Sequence, residues 1–361
     1  MFAEAGIVLN GPKPWDPQVR DERFYKRVLA GGTLGFGEAY MDGWWECEAI
    51  DELSCRILRA RLSDRRRLNL RALALVAGAR IFNLQSMRRA RKAVAAHYDL
   101  GNDFFAAMLD PTLQYSCGYF NGTDDLAEAQ LRKMDLICRK LGLRPGMRLL
   151  DIGCGWGGLA RHAARNYGCR VVGITLSNEQ RAYAAQACAR LPVDIRLQDY
   201  RTVTESFDRV ASVGMMEHVG YKNYRAYVAA AARCLADGGL FLCHTIGGLS
   251  SGVCSDPWIH RYVFPDSMLP SAAQVARASE GMFVLEDAHN FGAYYDRTLM
   301  AWERNFRQSW PRFRGAYGER FGRMWRYYLL SCAGAFRSRR IELFQFVFAK
   351  GGVPGGYVAV R

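Results

Sequence analysis

Residues 148–158 read Arg-Leu-Leu-Asp-Ile-Gly-Cys-Gly-Trp-Gly-Gly. A short apolar run closed by an acid and a Gly-rich turn, with a helix after it, is the pattern of a buried strand whose end lets backbone approach a ligand closely. Gly153, Gly155 and Gly158 fit the GxGxxG spacing of dinucleotide sites. Two features oppose a dinucleotide. Asp151 sits inside the motif, and the next strand ends in Thr175, where an acid gripping a ribose diol would be expected.

Working outward from that turn, the segments 170–175, 194–198, 209–213 and 239–244 are short apolar strands, and 177–190 and 221–235 are helical. A further helix is predicted over 126–141, entered through Thr123-Asp124-Asp125, with Leu131, Met134, Cys138 and Leu141 on its apolar face. Towards the C-terminus, 283–286 and 341–349 are strand-like, with long aromatic-rich helices between them. Strands alternating with helices predict an α/β fold with a parallel, doubly wound sheet.

Upstream the pattern is different, and the length of 361 residues leaves room for two domains. The spacing of Leu53, Ile57, Leu58 and Leu62, with Gly-rich breaks before them, predicts a small, mainly helical domain over 1–92, followed by the catalytic domain over 93–361. The formal charge is +14, and its concentration matters more than its size. Residues 53–92 hold twelve Lys and Arg against one acid, Asp64. Such a segment suits a polyanion, either nucleic acid or an anionic lipid surface. In 68–84 arginines interleave with apolar residues, which fits a lipid interface.

Other classes are excluded. The longest apolar run, 72–79, is far short of the roughly 20 residues a spanning helix needs. The N-terminus lacks the basic start and apolar stretch of a secretory signal. Eleven scattered cysteines without a CxxC pair predict reduced thiols in a cytoplasmic protein, with neither a disulfide framework nor a metal site.

A family resemblance emerges from spaced motifs. His97-Tyr-Asp-Leu-Gly-Asn-Asp-Phe-Phe105, Gln114-Tyr-Ser-Cys-Gly-Tyr119, Gly173-Ile-Thr-Leu-Ser-Asn-Glu-Gln180 and Leu197-Gln-Asp-Tyr200 come first. Gly214-Met-Met-Glu-His-Val-Gly220, Leu242-Cys-His-Thr-Ile-Gly247 and Asn290-Phe-Gly-Ala-Tyr-Tyr-Asp-Arg-Thr-Leu299 follow. With the segment 34–46 (LGFGEAYMDGWWE) and the tail from Cys332, they resemble the bacterial cyclopropane-fatty-acyl-phospholipid synthases and, more distantly, the mycolic acid cyclopropane synthases.

The resemblance implies a class I S-adenosylmethionine-dependent methyltransferase fold and transfer of a methylene group to the double bond of an unsaturated acyl chain in a membrane phospholipid. By it, Tyr115, Ser116 and the Gly153 and Gly155 backbone, beside Asp151, would hold the methionine end of the cofactor. Thr175 and Gln180 would face the ribose, and Gln198 and Asp199 the adenine. An alkene attacking a sulfonium methyl leaves a carbocation, and a proton must leave the new methyl for the ring to close. That base is implied to be a bound bicarbonate, held by Cys117, Glu217, His244, Ile246 and Tyr295, with Cys117 and Ile246 contributing mainly backbone groups. Donating its one O–H to Glu217 would leave its other oxygens for His244, Tyr295 and amides. Tyr98, Tyr119, Phe120, Trp258, Phe291 and Tyr294 are candidates for an acyl tunnel.

The expected partners are an unsaturated phospholipid and the anionic inner face of the cytoplasmic membrane, bound peripherally by a homodimer. Nucleic acid is not expected, since the chain has no Pro-Cys nucleophile and no [DN]PP[YFW] motif. A branch-methylating lipid methyltransferase, in which the same cation is reduced or hydrated, would keep every motif.

Overall fold

The computed structural model describes residues 2–62, 101–252 and 255–361. His97, Tyr98 and the basic run 63–92 therefore lie outside the described residues, and only the start of the charged segment is within them. The chain divides into two compact units.

The helical unit draws its described residues from 2–62, 255–265 and 292–342, so it takes in more chain than the N-terminal segment. Its elements are a two-residue ribbon, β1 (Gln18–Val19) with β2 (Trp45–Glu46), and helices α1 (Arg23–Gly31), α2 (Thr33–Met41) and α3 (Ile50–Arg59). Helices α9 (Pro257–Tyr262), α11 (Ala293–Tyr317) and α12 (Glu319–Arg337) complete it. Small residues and one arginine join these remote segments. A Cβ on Gly37 would overlap the Trp258 ring, and one on Gly334 would overlap the Asp51 carbonyl. Arg337 bonds Asp296 through two guanidinium nitrogens, at 2.9 and 3.0 Å, and pairs with Asp51 at 2.6 Å. Trp258 packs edge-on against Tyr327, at 4.7 Å between ring centroids, in the core of this unit.

The second unit holds 101–252, 266–291 and 343–361 among the described residues. Its seven strands are β3 (Arg148–Ile152), β4 (Arg170–Thr175), β5 (Val193–Leu197), β6 (Phe207–Val213), β7 (Leu235–Gly248), β8 (Val284–Asn290) and β9 (Ile341–Ala349). They lie in the order β5-β4-β3-β6-β7-β9-β8. The pairs β3–β4, β4–β5, β3–β6 and β6–β7 are parallel, and the closing pair β8–β9 is antiparallel. This is the doubly wound sheet that the strand and helix alternation predicts. Apolar residues of β3, β4, β6 and β7 are shared between two cores, one on each face of the sheet.

The helices of this unit are α4 (Asn102–Met108), α5 (Leu126–Lys140), α6 (Gly158–Tyr167), α7 (Asn178–Ala187), α8 (Tyr224–Cys234) and α10 (Ala272–Ser279). Asp125 caps α5 by accepting the Glu128 amide, as the acidic run before it predicts. Met134 and Cys138 of α5 and Leu141 just after it are buried as predicted, and the face differs at Leu131. Leu131 is exposed, whereas Gln130, Lys133 and Lys140 are buried beside Met134, Ile137 and Cys138. Acceptors from other segments turn the stripe. Lys133 Nζ donates to Gln114 Oε1 at 2.6 Å and Ser116 Oγ at 2.8 Å, and Lys140 pairs with Asp287 at 3.2 Å. A buried ammonium is tolerated only with such partners.

Candidate active site

In a parallel sheet the loops at the carboxyl ends of the strands converge where the strand order reverses, and ligands bind there. The order reverses beside β3, and the motif residues follow β3, β4 and β5. Gly153 and Gly155 have φ of +81° and +54°, the left-handed region that admits glycine at least cost. A Cβ on Gly155 meets nothing within 4 Å, so the turn leaves open space at that point. Gly158 is needed for close packing instead, since a side chain there would overlap Gln114 and the Thr112 carbonyl.

Asp151, at the end of β3, is buried, and its Oδ2 has no hydrogen-bond partner among the described residues. Burial pushes its carboxyl up to about 7, with the Lys133 cation pulling the other way. Lys133, wholly buried, is lowered to about 8 by loss of solvent. Ser116 thus receives a hydrogen bond from Lys133 through its hydroxyl and, through its carbonyl, one from Gln130 Nε2 at 2.8 Å. Tyr115 sits edge-on to Phe105. The segment 114–116 is pinned by two polar side chains of α5 that the sequence pattern does not single out. Their only trace in the sequence is a Gln and a Lys three residues apart in a helix.

Thr175 closes β4, and its hydroxyl donates to Gln180 Oε1 at 2.9 Å. Ser177 caps α7 by accepting the Gln180 amide at 3.2 Å, which fixes the first turn carrying that side chain. Asp199 is buried; Oδ1 accepts the Arg201 amide at 2.9 Å, while Oδ2 makes no hydrogen bond among the described residues. Gln198 is half-buried and turned towards Thr202. A second group of predicted residues follows β6 and lies along β7. The register pairs Val213 with His244, so the loop 214–217 leaves β6 beside the half of β7 that holds His244 and Ile246.

Glu217 is buried, and its Oε1 accepts the Ile246 amide at 2.6 Å. Ile246 N–H is therefore engaged in aiming Glu217. The other oxygen, Oε2, is buried without a hydrogen-bond partner among the described residues. Burial pushes this carboxyl up to about 7, opposed by the Ile246 amide. His244 is buried with Nε2 also lacking a partner, and burial, helped by Lys133 and Lys140, drives its pKa well below 6.5. Loss of solvent thus favours the neutral imidazole. Cys117 is fully buried, its thiol donating to the Gly118 carbonyl at 3.3 Å.

Tyr295 belongs to the helical unit, stacked on Phe336 with ring centroids 4.4 Å apart. Cys117, Glu217, His244 and Ile246 all belong to the second unit, where Glu217 and Ile246 are joined by a hydrogen bond. Of the tunnel candidates, Phe291 lies edge-on to both Tyr119 and His244, at 5.3 and 5.7 Å.

Comparison with known proteins finds relatives along nearly the whole chain. A sequence model of the family described as mycolic acid cyclopropane synthetase matches residues 85–346. The chain is 52% identical to the cyclopropane-fatty-acyl-phospholipid synthase of Escherichia coli K12, covering 99% of this chain and 94% of that one. It is 32% identical to the tuberculostearic acid methyltransferase UfaA1 of Mycobacterium tuberculosis, over 93% of this chain and 83% of the relative. Among solved structures, the mycolic acid cyclopropane synthase CmaA1 complexed with SAH and CTAB superposes with a TM-score of 0.68 at 35% identity, covering 72% of this chain and 98% of that one.

Proposed function

The chain belongs to the mycolic acid cyclopropane synthetase family, and from that premise we propose that it transfers a methylene group from S-adenosylmethionine to the double bond of an unsaturated phospholipid acyl chain, forming a cyclopropane ring. It is an S-adenosylmethionine-dependent methyltransferase of the class I fold, acting on lipid. The residues present suit that cofactor. The open space at Gly155 and the buried oxygens of Asp151 and Asp199 that accept no hydrogen bond among the described residues, the latter 3.6 Å from Arg201 Nη1, are what a ligand with ammonium and amino groups would complete. When bound, the cofactor supplies an electrophilic methyl. Ser116, steadied by Lys133, orients its methionine end; Thr175 holds the Gln180 amide so that its nitrogen is presented to the ribose; Asp199 offers Oδ2 to the adenine amino group.

The finer step is the removal of a proton from the added methyl. The observation that carries our reading is a pair of buried atoms with no partner among the described residues, Glu217 Oε2 and His244 Nε2. An acceptor and a donor, each left without a partner, suit a bicarbonate, which has one O–H to give and oxygens to receive. When bound, bicarbonate supplies the base. Glu217, aimed by the Ile246 amide, would accept its O–H; neutral His244 would donate to it, with Cys117 and Tyr295 as further holders. Tyr119, Phe120 and Phe291 are buried and present rings that exclude water from a carbocation.

Branch methylation is the second reading, favoured by the likeness to the tuberculostearic acid methyltransferase. Incubation with unsaturated phospholipid vesicles and methyl-labelled cofactor, followed by lipid mass spectrometry, separates the two, because a cyclopropane adds CH2 and a reduced methyl branch adds CH4. Turnover should fall in bicarbonate-depleted buffer and return when bicarbonate is restored. A ring product formed at full rate without bicarbonate overturns the assignment of the base.

The substrate lies in a bilayer, and no described helix is long and apolar enough to cross a membrane. We assign peripheral attachment, on the cytoplasmic face and as a homodimer, to the basic segment 53–92, where anionic headgroups offer about 1 kcal/mol per well-placed Lys or Arg.

A further inference from the structure

His244 uses its second ring nitrogen on a residue outside the anion-holding set. Gln345 lies on β9, the strand beside β7, and is fully buried. Its Nε2 stands 3.2 Å from His244 Nδ1. An amide nitrogen donates and cannot accept, so Nδ1 must present its lone pair, and the single proton of the neutral ring then sits on Nε2. The opposite orientation of the amide would leave both its N–H groups facing the place where Gln345 Oε1 now lies buried and unpartnered. As it stands one N–H and Oε1 lack partners among the described residues, the flipped amide would strand two N–H groups, and a stranded buried donor is the rarer case in folded proteins. That orientation would also aim the Nε2 lone pair at any anion bound there. In the sequence, Gln345 interrupts the apolar run 343–349, flanked by Phe344 and Phe346, at a position where a Leu or Val would bury without cost.

We propose that Gln345 is a positioning residue that fixes His244 as the Nε2–H tautomer, so that the ring donates a hydrogen bond to the anion held by Glu217 and His244. The proposal rests on the bicarbonate reading for the identity of that anion. The ring state can be read without it.

Protein labelled with ¹⁵N-histidine, with His244→Gln used to assign the signal, should show His244 protonated at Nε2 in the absence of bicarbonate. Gln345→Glu, at a pH where its carboxyl is ionised and can only accept, should move the proton to Nδ1. It should also raise the bicarbonate concentration for half-maximal rate by about tenfold to a hundredfold, the worth of a hydrogen bond to a charged group, with cofactor affinity within about twofold. Gln345→Met serves as the second variant if the acid does not fold, and should leave a mixture of tautomers. A wild-type ring protonated at Nδ1 overturns the proposal. So does a tautomer and a bicarbonate dependence that both survive Gln345→Glu and Gln345→Met. If the tautomer moves as expected but wild-type turnover never depends on bicarbonate, the identity of the anion fails and the positioning of His244 stands.

Discussion

Replacing Glu217 by Gln should stabilise the protein at alkaline pH while nearly abolishing turnover. Burial lifts this carboxyl from its ordinary 4.5 to about 7. Below pH 4.5 the folded and unfolded chains both hold the proton and the site carries no penalty. Between 4.5 and about 7 the unfolded chain releases it while the folded one keeps it, so stability falls as pH rises. At about 1.4 kcal/mol per pH unit the loss reaches about 3 kcal/mol above pH 7. Gln carries no proton, and its Oε1 can still accept the Ile246 amide, so the variant escapes this loss. Its new N–H pair, buried where Oε2 was, returns about 1 kcal/mol of it. Asp151, also raised to about 7, is present in both proteins and cancels in the difference.

Denaturant unfolding of both proteins across pH 4.5 to 8.5 should therefore show a stability difference that grows in favour of the variant and levels off above pH 7. Turnover should fall by about 10² to 10⁴, as for a lost proton-transfer arrangement. A difference that does not vary with pH, or one that favours the wild type increasingly at high pH, would refute the reasoning.

Three other outcomes follow from the same geometry. Gly155→Asn keeps a side chain that tolerates positive φ and projects it into the open space of the turn, so calorimetry should find a folded protein with cofactor affinity reduced at least tenfold; unchanged affinity would mean the cofactor lies elsewhere. Lys133→Met strips the donor from Gln114 Oε1 and Ser116 Oγ, which should cost about 2 to 4 kcal/mol in unfolding free energy and weaken cofactor binding; a neutral result on both counts would show that α5 does not position the 114–116 segment. Changing Arg65, Arg66, Arg67, Arg88, Arg89 and Arg91 to Gln should weaken sedimentation with anionic vesicles, most of all at low salt, and leave cofactor affinity alone. Equal vesicle binding at every salt concentration would move the lipid contact to another surface.

The candidate site residues were legible in the chain because they stand at strand ends and in turns, where identity is dictated locally. Strand and helix alternation, the glycines after β3 and the Asp125 cap all depend on neighbours within a few positions. Family resemblance then attached roles to side chains that spacing alone would leave bland, such as Cys117 or His244. Periodicity, by contrast, placed Met134 and Cys138 of α5 and the following Leu141 in the core but misplaced Leu131 and missed the buried lysines. Hydropathy assigns lysine to solvent, whereas Lys133 and Lys140 turn inward because Gln114, Ser116 and Asp287 wait for them.

Sequence by itself determined the kind of protein: a doubly wound sheet with a Gly-rich cofactor turn, an appended helical part and a basic segment. Tertiary structure alone decided which polar groups are satisfied. Gln345 and His244 are 101 residues apart, and Glu217 meets the Ile246 amide across 29. It likewise decided that the helical unit gathers 255–265 and 292–342 around the N-terminal helices. Hydrophobic pattern is a property of adjacent residues, whereas the partner of a buried donor or acceptor is chosen by strand order, and strand order is settled only when the whole sheet closes over its two cores.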